Sequence, residues 1–289
     1  MKKIVITGGS GFIGTRFKKM YEHIYDIKAL SSKDLDVTSQ EAVDEYMNRE
    51  KPDYVFHFAG LANQQYCIDH PNKAYAVNVL GALYMARACQ RLGAKMVFSS
   101  TEQLFNGSKE KGPYTEESQP VPNTVYGKNK WEVEQKLPAI LKECWIVRFT
   151  WIFGLPEKDC AGGSNILMDT LKAVLYNQPI HVSQYEFRGM SDVDEICQNL
   201  VKLLELPYGT YNMGSTNNDG RYDIVKYIME EIGLSEDRIR ELLIVDNSKY
   251  NENCYRELRL DNSKAKKLGM DFSDTKEAIH QCLKRFSII

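Results

Sequence analysis

No run of apolar residues in this 289-residue chain approaches the ~20 needed to cross a bilayer as a helix, so no membrane partner is expected. An excess of one charge is missing too. The 37 Lys and Arg face 39 Asp and Glu, and a net charge of −2 offers no electrostatic footprint for nucleic acid or an anionic surface. Cys-x-x-Cys pairs are absent. The seven cysteines (Cys67, Cys89, Cys144, Cys160, Cys197, Cys254 and Cys282) are odd in number and scattered, which points to reduced thiols and a cytoplasmic protein. Cys67 and His70 stand at metal-like spacing, but no second ligand pair accompanies them, so no metal is expected. Met1-Lys2-Lys3 imitates the basic start of a signal peptide, yet the apolar stretch after it stops within four residues at a glycine turn, so no signal is expected. Internal repeats are lacking as well. A hydrophobic share of 43% with 26% charged residues describes an ordinary globular composition, long enough for two domains or one domain with a large lobe.

What is present begins at Thr7-Gly8-Gly9-Ser10-Gly11-Phe12-Ile13-Gly14. It follows the apolar run Ile4-Val5-Ile6, which reads as a buried strand, and opens a segment able to coil into a helix over residues 12–21. Strand, glycine turn and helix start in this order make the phosphate-cradling entry of a dinucleotide fold. Gly8 allows the tight turn, Gly11 lets a pyrophosphate approach the backbone, and Gly14 lets helix and strand lie close. The helix N-terminus adds unpaired N–H groups and the positive end of a dipole. Gly8, Gly11, Phe12, Ile13 and Gly14 are therefore candidate cofactor contacts.

Strand and helix patterns alternate through the first half, which predicts a parallel sheet with right-handed crossovers. Residues 27–30 read as the second strand, ending at Ser31-Ser32-Lys33, where an adenosine ribose would lie. An acidic residue among these three would select NAD(H) through the 2′-hydroxyl. Two hydroxyls and a lysine favour a 2′-phosphate instead, with Arg16 as an assistant, so NADP(H) is the expected cofactor with NAD(H) also admissible. The plain alternative is a solvated loop. A helix capped by Ser39 carries Val43, Tyr46 and Met47 on one face. The next strand ends in the small residues Ala59 and Gly60, over which a cofactor could lie, and His57 reads as a packed strand residue. Residues 72–92 form a long helix pattern stopped by Gly93. Residues 95–101 make the fourth strand, with a hydroxyl-rich end, and residues 106–124 read as a long surface loop. Tyr126 to Lys130 open a helix that Pro138 disturbs, and residues 144–149 make the fifth strand. Beyond Gly154 the alternation fades. Helices are expected over 166–176, 194–206 and 222–232, with a short strand at 209–213. The expected fold is thus α/β: a Rossmann-like doubly wound parallel sheet over residues 1–154 and a smaller mixed substrate lobe over 155–289, with an approximate boundary that leaves room for the chain to cross back.

Tyr126 and Lys130, four apart, share one helix face. A phenol titrates near pH ~10, and a neighbouring ammonium is expected to lower that value by favouring phenolate. Tyr-x-x-x-Lys after a Ser/Thr-rich fourth-strand end is a compact proton donor and acceptor, and Thr101 adds a hydroxyl able to polarise a carbonyl.

In order and spacing these motifs resemble the extended short-chain dehydrogenase/reductase family, and the resemblance spans essentially the whole chain. Within it the chain resembles the dTDP-4-dehydrorhamnose reductases, which reduce a 4-keto nucleotide sugar. Ser100-Thr101-Glu102-Gln103-Leu104-Phe105 stands where they carry Ser-Thr-Asp-Tyr-Val-Phe. Tyr126-Gly127-Lys128-Asn129-Lys130 matches Tyr-Gly-x-x-Lys, and Arg148-Phe149-Thr150-Trp151-Ile152-Phe153-Gly154 resembles Arg-Thr-Ser-Trp-Val-Tyr-Gly. Gly209-Thr210-Tyr211-Asn212 resembles Gly-x-Tyr-His. The resemblance implies catalysis by Thr101, Tyr126 and Lys130, with Lys130 also on the nicotinamide ribose. It implies adenine contact by Asp36 and Val37, a site-shaping role for Asn78 (an exposed amide being the alternative), and a nucleotide-sugar substrate held by Glu102, Gln103, Trp151 and Asn165. The family's Arg-Pro pair ahead of Leu260-Asp261 appears here as Cys254-Tyr255, leaving Arg256 and Arg259 as candidate diphosphate clamps. Glu102-Gln103 in place of Asp-Tyr argues against rhamnose as the product. The alternatives on this scaffold are a nucleotide-sugar epimerase or dehydratase, and a non-catalytic NADP-binding regulatory subunit. A homodimer is left open.

Overall fold

Short apolar runs, each broken by a glycine or polar turn before an amphipathic helix, build a six-stranded sheet. In the computed structural model, which describes every residue except Asp159 and Gly163, the strands are β1 (Lys3–Thr7), β2 (Asp26–Leu30), β3 (Tyr54–His57), β4 (Lys95–Thr101), β5 (Cys144–Phe149) and β6 (Gly209–Met213). They run in the order β6-β5-β4-β3-β1-β2, and every pairing is parallel. The order reverses between β1 and β3, so a crevice opens over their carboxyl ends, the place where ligands bind in open α/β sheets.

Period-two alternation decides which residues face which layer. Val5, Val55, Met96 and Phe98 point to a core shared with helices α2 (Gln40–Glu50), α3 (Gly81–Leu92) and α4 (Val125–Ile140). Ile4, Ile6, Phe56 and Val97 point the other way, onto Phe17 of α1 (Phe12–Tyr21) and Ile196 and Leu200 of the helix Val193–Leu203. The expected cap at Ser39 forms, its hydroxyl accepting from Ala42 N at 3.2 Å. Pro138 lies inside α4 without ending it; the helix stops two residues later, at Ile140.

The pattern over 72–92 is not one helix. Pro71–Tyr75 leads into a π-turn over Ala76–Leu80, and α3 follows. A wide turn of this kind rotates a side chain off the regular helical stripe, and here it buries Asn78. The loop over 106–124 is pinned by the C-terminal segment: Tyr114 N donates to Arg259 O, Asp261 N donates to Tyr114 O, both at 2.8 Å, and the Tyr114 ring stacks on Phe105 at 4.2 Å.

The strand at 209–213, read from sequence as part of the second lobe, is β6 and pairs with β5. Likewise the helix Val193–Leu203 packs on α1 and the sheet. The chain therefore returns to the central layer after its first excursion. The reason is tertiary: Tyr211 and Met213 are buried against Trp145 and Phe149, a pairing with no local signature. The remaining core joins Phe153, Leu167, Ile224, Ile228 and Ile279. Three parallel two-stranded ribbons flank it: Trp151–Phe153 with Met190–Asp192, Ile180–Val182 with Leu243–Val245, and Glu186–Phe187 with Arg256–Glu257.

Candidate functional site

The glycine turn lies at the carboxyl end of β1. Gly9 N donates to Leu30 O at 2.7 Å and Gly11 N to Gly8 O at 2.9 Å, folding the turn tightly over the sheet. Gly8 has φ +68°, and a Cβ there would stand 2.7 Å from backbone atoms of Phe58 and Ala59. A Cβ on Gly14 would stand 2.7 Å from Gly9 Cα. α1 begins at Phe12 with no side-chain cap on its N–H groups. A cavity of about 310 Å³ opens here, lined by Gly8, Gly11 and Ile13 on one side and Trp151 and Asn165 on the other. Bare glycine backbone and uncapped helix N–H groups fit the diphosphate of a dinucleotide. Trp151 and Asn165 thus face the glycine turn itself. Asn165 caps the helix Ile166–Leu175, its oxygen accepting from Met168 N at 3.1 Å, while its amide donates to Gly154 O at 3.0 Å. Ala161 meets the turn directly, its N donating to Ser10 O at 2.7 Å. Phe58, which no motif marks, and Ile152, next to Trp151, also line the cavity.

The end of β2 differs from the sequence reading in two ways. A carboxylate does stand there: Asp34 accepts from Ser31 N at 2.8 Å and from Ser31 Oγ at 2.7 Å, and those bonds hold its carboxyl below the usual range. Arg16 is not available for a phosphate. It is buried, with its guanidinium on Asp194, on Glu157 at 2.7 Å and on Leu155 O at 2.8 Å, tying α1 to both later segments. The basic groups that line the adjoining cavity of about 420 Å³ with Ser31 are instead Lys18, Lys19 and Lys158, of which Lys19 is paired with Glu157 at 2.8 Å. Ser32 and Lys33 are exposed. Asp36 is exposed and accepts from Thr38 N and Oγ1 at 2.9 and 2.7 Å, whereas Val37 is buried against Gly81.

On the other side of the crevice the structure brings Gly60, Asn78 and Lys130 together. A Cβ on Gly60 would lie 3.3 Å from Asn78 Oδ1 and 3.6 Å from Lys130 Nζ. Asn78 is no exposed amide. It is buried and grips Leu61 at both ends, accepting from its N at 2.7 Å and donating to its O at 3.1 Å. Ala59 is half-buried and rests on the glycine turn, its N donating to Thr7 Oγ1 at 3.4 Å. His57 is buried beneath, Nδ1 paired with Thr7 at 2.9 Å, and burial with the nearby Lys130 charge takes its pKa down to about 3.

Thr101 ends β4, buried, its hydroxyl accepting from Gln103 N at 3.2 Å. Tyr126, in the first turn of α4, lies close enough to Thr101 for the hydroxyl to act on the phenol's pKa. Lys130 is fully covered, donating to Ser99 O at 2.7 Å and sitting 4.6 Å from the Phe98 ring centroid. The sequence argument that Lys130 lowers the Tyr126 pKa does not hold in this structure. Burial, helped by Cys67, pushes the phenol up, and only the Thr101 hydroxyl opposes it. Lys130 loses charge instead: burial takes it from 10.5 down to about 7, Glu134 opposing. A buried pair disfavours both charged forms when desolvation exceeds mutual attraction. The result is a protonated phenol at neutral pH, the form that donates a proton.

The Lys130 shift has a measurable consequence. Its folded pKa lies below its unfolded one, so between about pH 7 and 10 the unfolded chain holds more protons and stability gains with rising pH. Relative to Lys130→Met, the wild-type Tm should climb across that window in thermal scans at stepped pH. Parallel Tm profiles for the two proteins would contradict the assignment.

Beyond Thr101 the second-lobe groups converge. Glu102 is buried and paired with Arg188. The Gln103 amide oxygen accepts from Gln64 Nε2 and Arg256 Nη2, both at 3.0 Å. Arg256 therefore joins the site. Arg259 does not, because both ends of its guanidinium are bound by Glu257 at 2.8 and 2.6 Å. Arg188, Arg221 and Glu186 escaped sequence reasoning, since no local pattern marks them and they lie far from Trp151 in sequence; the fold lays both arginines over its ring, at 4.7 and 5.1 Å.

A parallel sheet with its order reversing at a glycine turn, and Thr, Tyr and Lys at the adjoining strand end, defines an extended short-chain dehydrogenase/reductase. Within that class the chain belongs to the RmlD substrate binding domain family, whose model matches residues 1–288. It is 30% identical to the spore coat polysaccharide biosynthesis protein SpsK of Bacillus subtilis, with 81% of each chain covered. It is 27% identical to a dTDP-4-dehydrorhamnose reductase of Aggregatibacter actinomycetemcomitans, covering 80% of this chain and 79% of that one. The fold matches the dTDP-4-dehydrorhamnose reductase of Bacillus anthracis solved in complex with NADP, with TM-score 0.85 over 99% of both chains at 22% identity.

Proposed function

We propose that the protein is an NADP(H)-dependent reductase of a keto group on a nucleotide-activated sugar, using NAD(H) less well and working in the cytoplasm. The observation that carries this reading is the meeting of Thr101, Tyr126 and Lys130 beside the glycine-turn cavity, with the phenol held protonated. Gly8, Gly11, Phe12, Ile13 and Gly14 would hold the diphosphate, Asp36 and Val37 the adenine side, and Ala59, Gly60, Asn78 and Lys130 the nicotinamide ribose. The bound cofactor would supply the hydride. Thr101 donates a hydrogen bond to the ketone oxygen, and Tyr126 delivers the proton to that oxygen, so the ketone ends as an alcohol. Lys130, resting on Ser99 O, orients Tyr126. Sharing Glu186, Arg256 holds Gln103 in place at the substrate end. The seven free thiols suit a reducing compartment. Screening 4-keto nucleotide sugars with NADPH tests the reading; no turnover of any would refute it.

NADPH is expected to bind more tightly than NADH, because Lys18 and Lys158, beside the Glu157-paired Lys19, line the cavity that holds Ser31. Asp34 opposes this with its own charge, so Asp34→Asn should widen the gap and Lys18→Ala narrow it in calorimetric titrations. A wild-type preference for NADH would overturn the placement of the phosphate.

Reduction should not be accompanied by dehydration. Eliminating water next to a ketone requires one group to protonate the leaving hydroxyl and another to abstract a proton, and general-base help is worth ~10²–10⁴-fold. Gln103 is an amide without a titrating proton, and Glu102 is engaged by Arg188. A 4-hydroxy nucleotide sugar incubated with NADP⁺ should yield no 4-keto-6-deoxy product. Its formation at a rate comparable with ketone reduction would reassign the protein as a dehydratase.

A further inference from the structure

Among the described residues, the cavity of about 420 Å³ beside the end of β2 is lined by equal numbers of opposite charges. Lys18, Lys19 and Lys158 stand against Glu22, Asp34 and Glu157. A dianionic 2′-phosphate entering beside Ser31 meets as much repulsion as attraction there, unless a carboxylate gives up a lysine. Asp34 accepts from Ser31 N and Oγ. Glu157 is the carboxylate that holds a lysine, its Oε2 lying 2.8 Å from Lys19 Nζ. Its other oxygen, Oε1, lies 2.7 Å from Arg16 Nε. The two sides of this carboxylate are unequal. Arg16 is buried and also donates to Leu155 O at 2.8 Å, two residues before Glu157, so that side is anchored. The Lys19 side chain is 67% exposed, and an ion pair that open to water is weak.

We propose that Glu157 tunes cofactor preference by competing with the 2′-phosphate of NADP(H) for Lys19, the phosphate taking over the lysine while Glu157 stays on Arg16. This rests on the NADP(H) reading above and names the residue that sets its strength. The exchange is favourable for Lys19, because a phosphate brings more charge and more acceptor oxygens than one carboxylate oxygen. It leaves no buried charge stranded, since Arg16 keeps Glu157 and Asp194. A ribose 2′-hydroxyl has no charge with which to draw Lys19 away, so NAD(H) leaves the Lys19–Glu157 pair intact. The pair therefore weakens NADP(H) binding alone and narrows the gap between the two cofactors.

Calorimetric titration of NADPH and of NADH into the wild type, Glu157→Gln, Lys19→Met and the double variant tests this. In Glu157→Gln the amide oxygen can still accept from Arg16, while the charge facing Lys19 is gone. NADPH should then bind about fivefold more tightly, with NADH within about twofold of wild type. Lys19→Met, at an exposed position, reads the same contact without disturbing Arg16. It should weaken NADPH by about fivefold and leave NADH unchanged. In the double variant the gain from Glu157→Gln should largely vanish, because the two residues act on one contact. NADPH affinity unmoved in Lys19→Met, a gain of full size without Lys19, or equal gains for NADPH and NADH each overturn the competition. Turnover of a 4-keto nucleotide sugar with NADPH affinity unmoved in both single variants refutes the competition and leaves the reductase reading standing. The expected shifts with no turnover of any keto sugar support the competition and refute the reductase reading.

Discussion

Replacing Tyr126 with phenylalanine is expected to lower kcat by at least ~10²-fold while the Kd for NADPH stays within about twofold of wild type. The substitution deletes one oxygen. The ring keeps its place on the first turn of α4, next to Lys130 at 5.8 Å from the ring centroid, so packing and the ribose side of the site are retained. What disappears is the proton donor beside Thr101. The loss should fall on kcat and kcat/KM alike, because the proton is transferred only in the transition state. The half-buried phenol is held protonated by desolvation, so its proton is in place at neutral pH. Stopped-flow or steady-state assays with any accepted keto sugar, together with calorimetry for NADPH, read both quantities. Near-normal turnover would remove Tyr126 from the reaction.

Gly8→Ala should weaken NADPH binding by about tenfold or more, with a folded protein by circular dichroism and a lower Tm. At φ +68° a Cβ is strained before any neighbour is considered. The neighbours leave no room: Ala59 N, Phe58 C and Phe58 O each stand 2.7 Å from the Cβ position, all backbone atoms of the segment leaving β3. The turn must move away from β3, and the N–H groups at the start of α1 move with it. Strain of ~1–3 kcal/mol is the usual scale for such a backbone, and 1.4 kcal/mol corresponds to tenfold in affinity. Unchanged NADPH affinity would show that the diphosphate does not depend on this turn.

Much of this site was written in local pattern. A glycine turn between an apolar run and a helix, and Tyr and Lys four apart, are short-range features, since each depends on residues within one turn or one strand end. Strands β4 and β5 were readable to the residue because each carries an apolar run bounded by polar or turn residues. Asn78 was readable as a candidate, yet only the π-turn shows that its amide faces inward onto Leu61.

The sequence by itself determined the α/β alternation, the glycine turn over Gly8–Gly14 and the candidacy of Thr101, Tyr126 and Lys130, because these follow from local periodicity and side-chain chemistry. The tertiary structure alone decided which charges meet. Arg16 belongs to Glu157 and Asp194, the latter 178 positions away, and not to a phosphate. Arg259 is taken by Glu257, whereas Arg188, 86 positions from Glu102, arrives at the end of β4. It also decided the direction of the Tyr126 and Lys130 shifts. Spacing can place an ammonium near a phenol, but desolvation depends on everything packed around the pair, and here it outweighs their attraction.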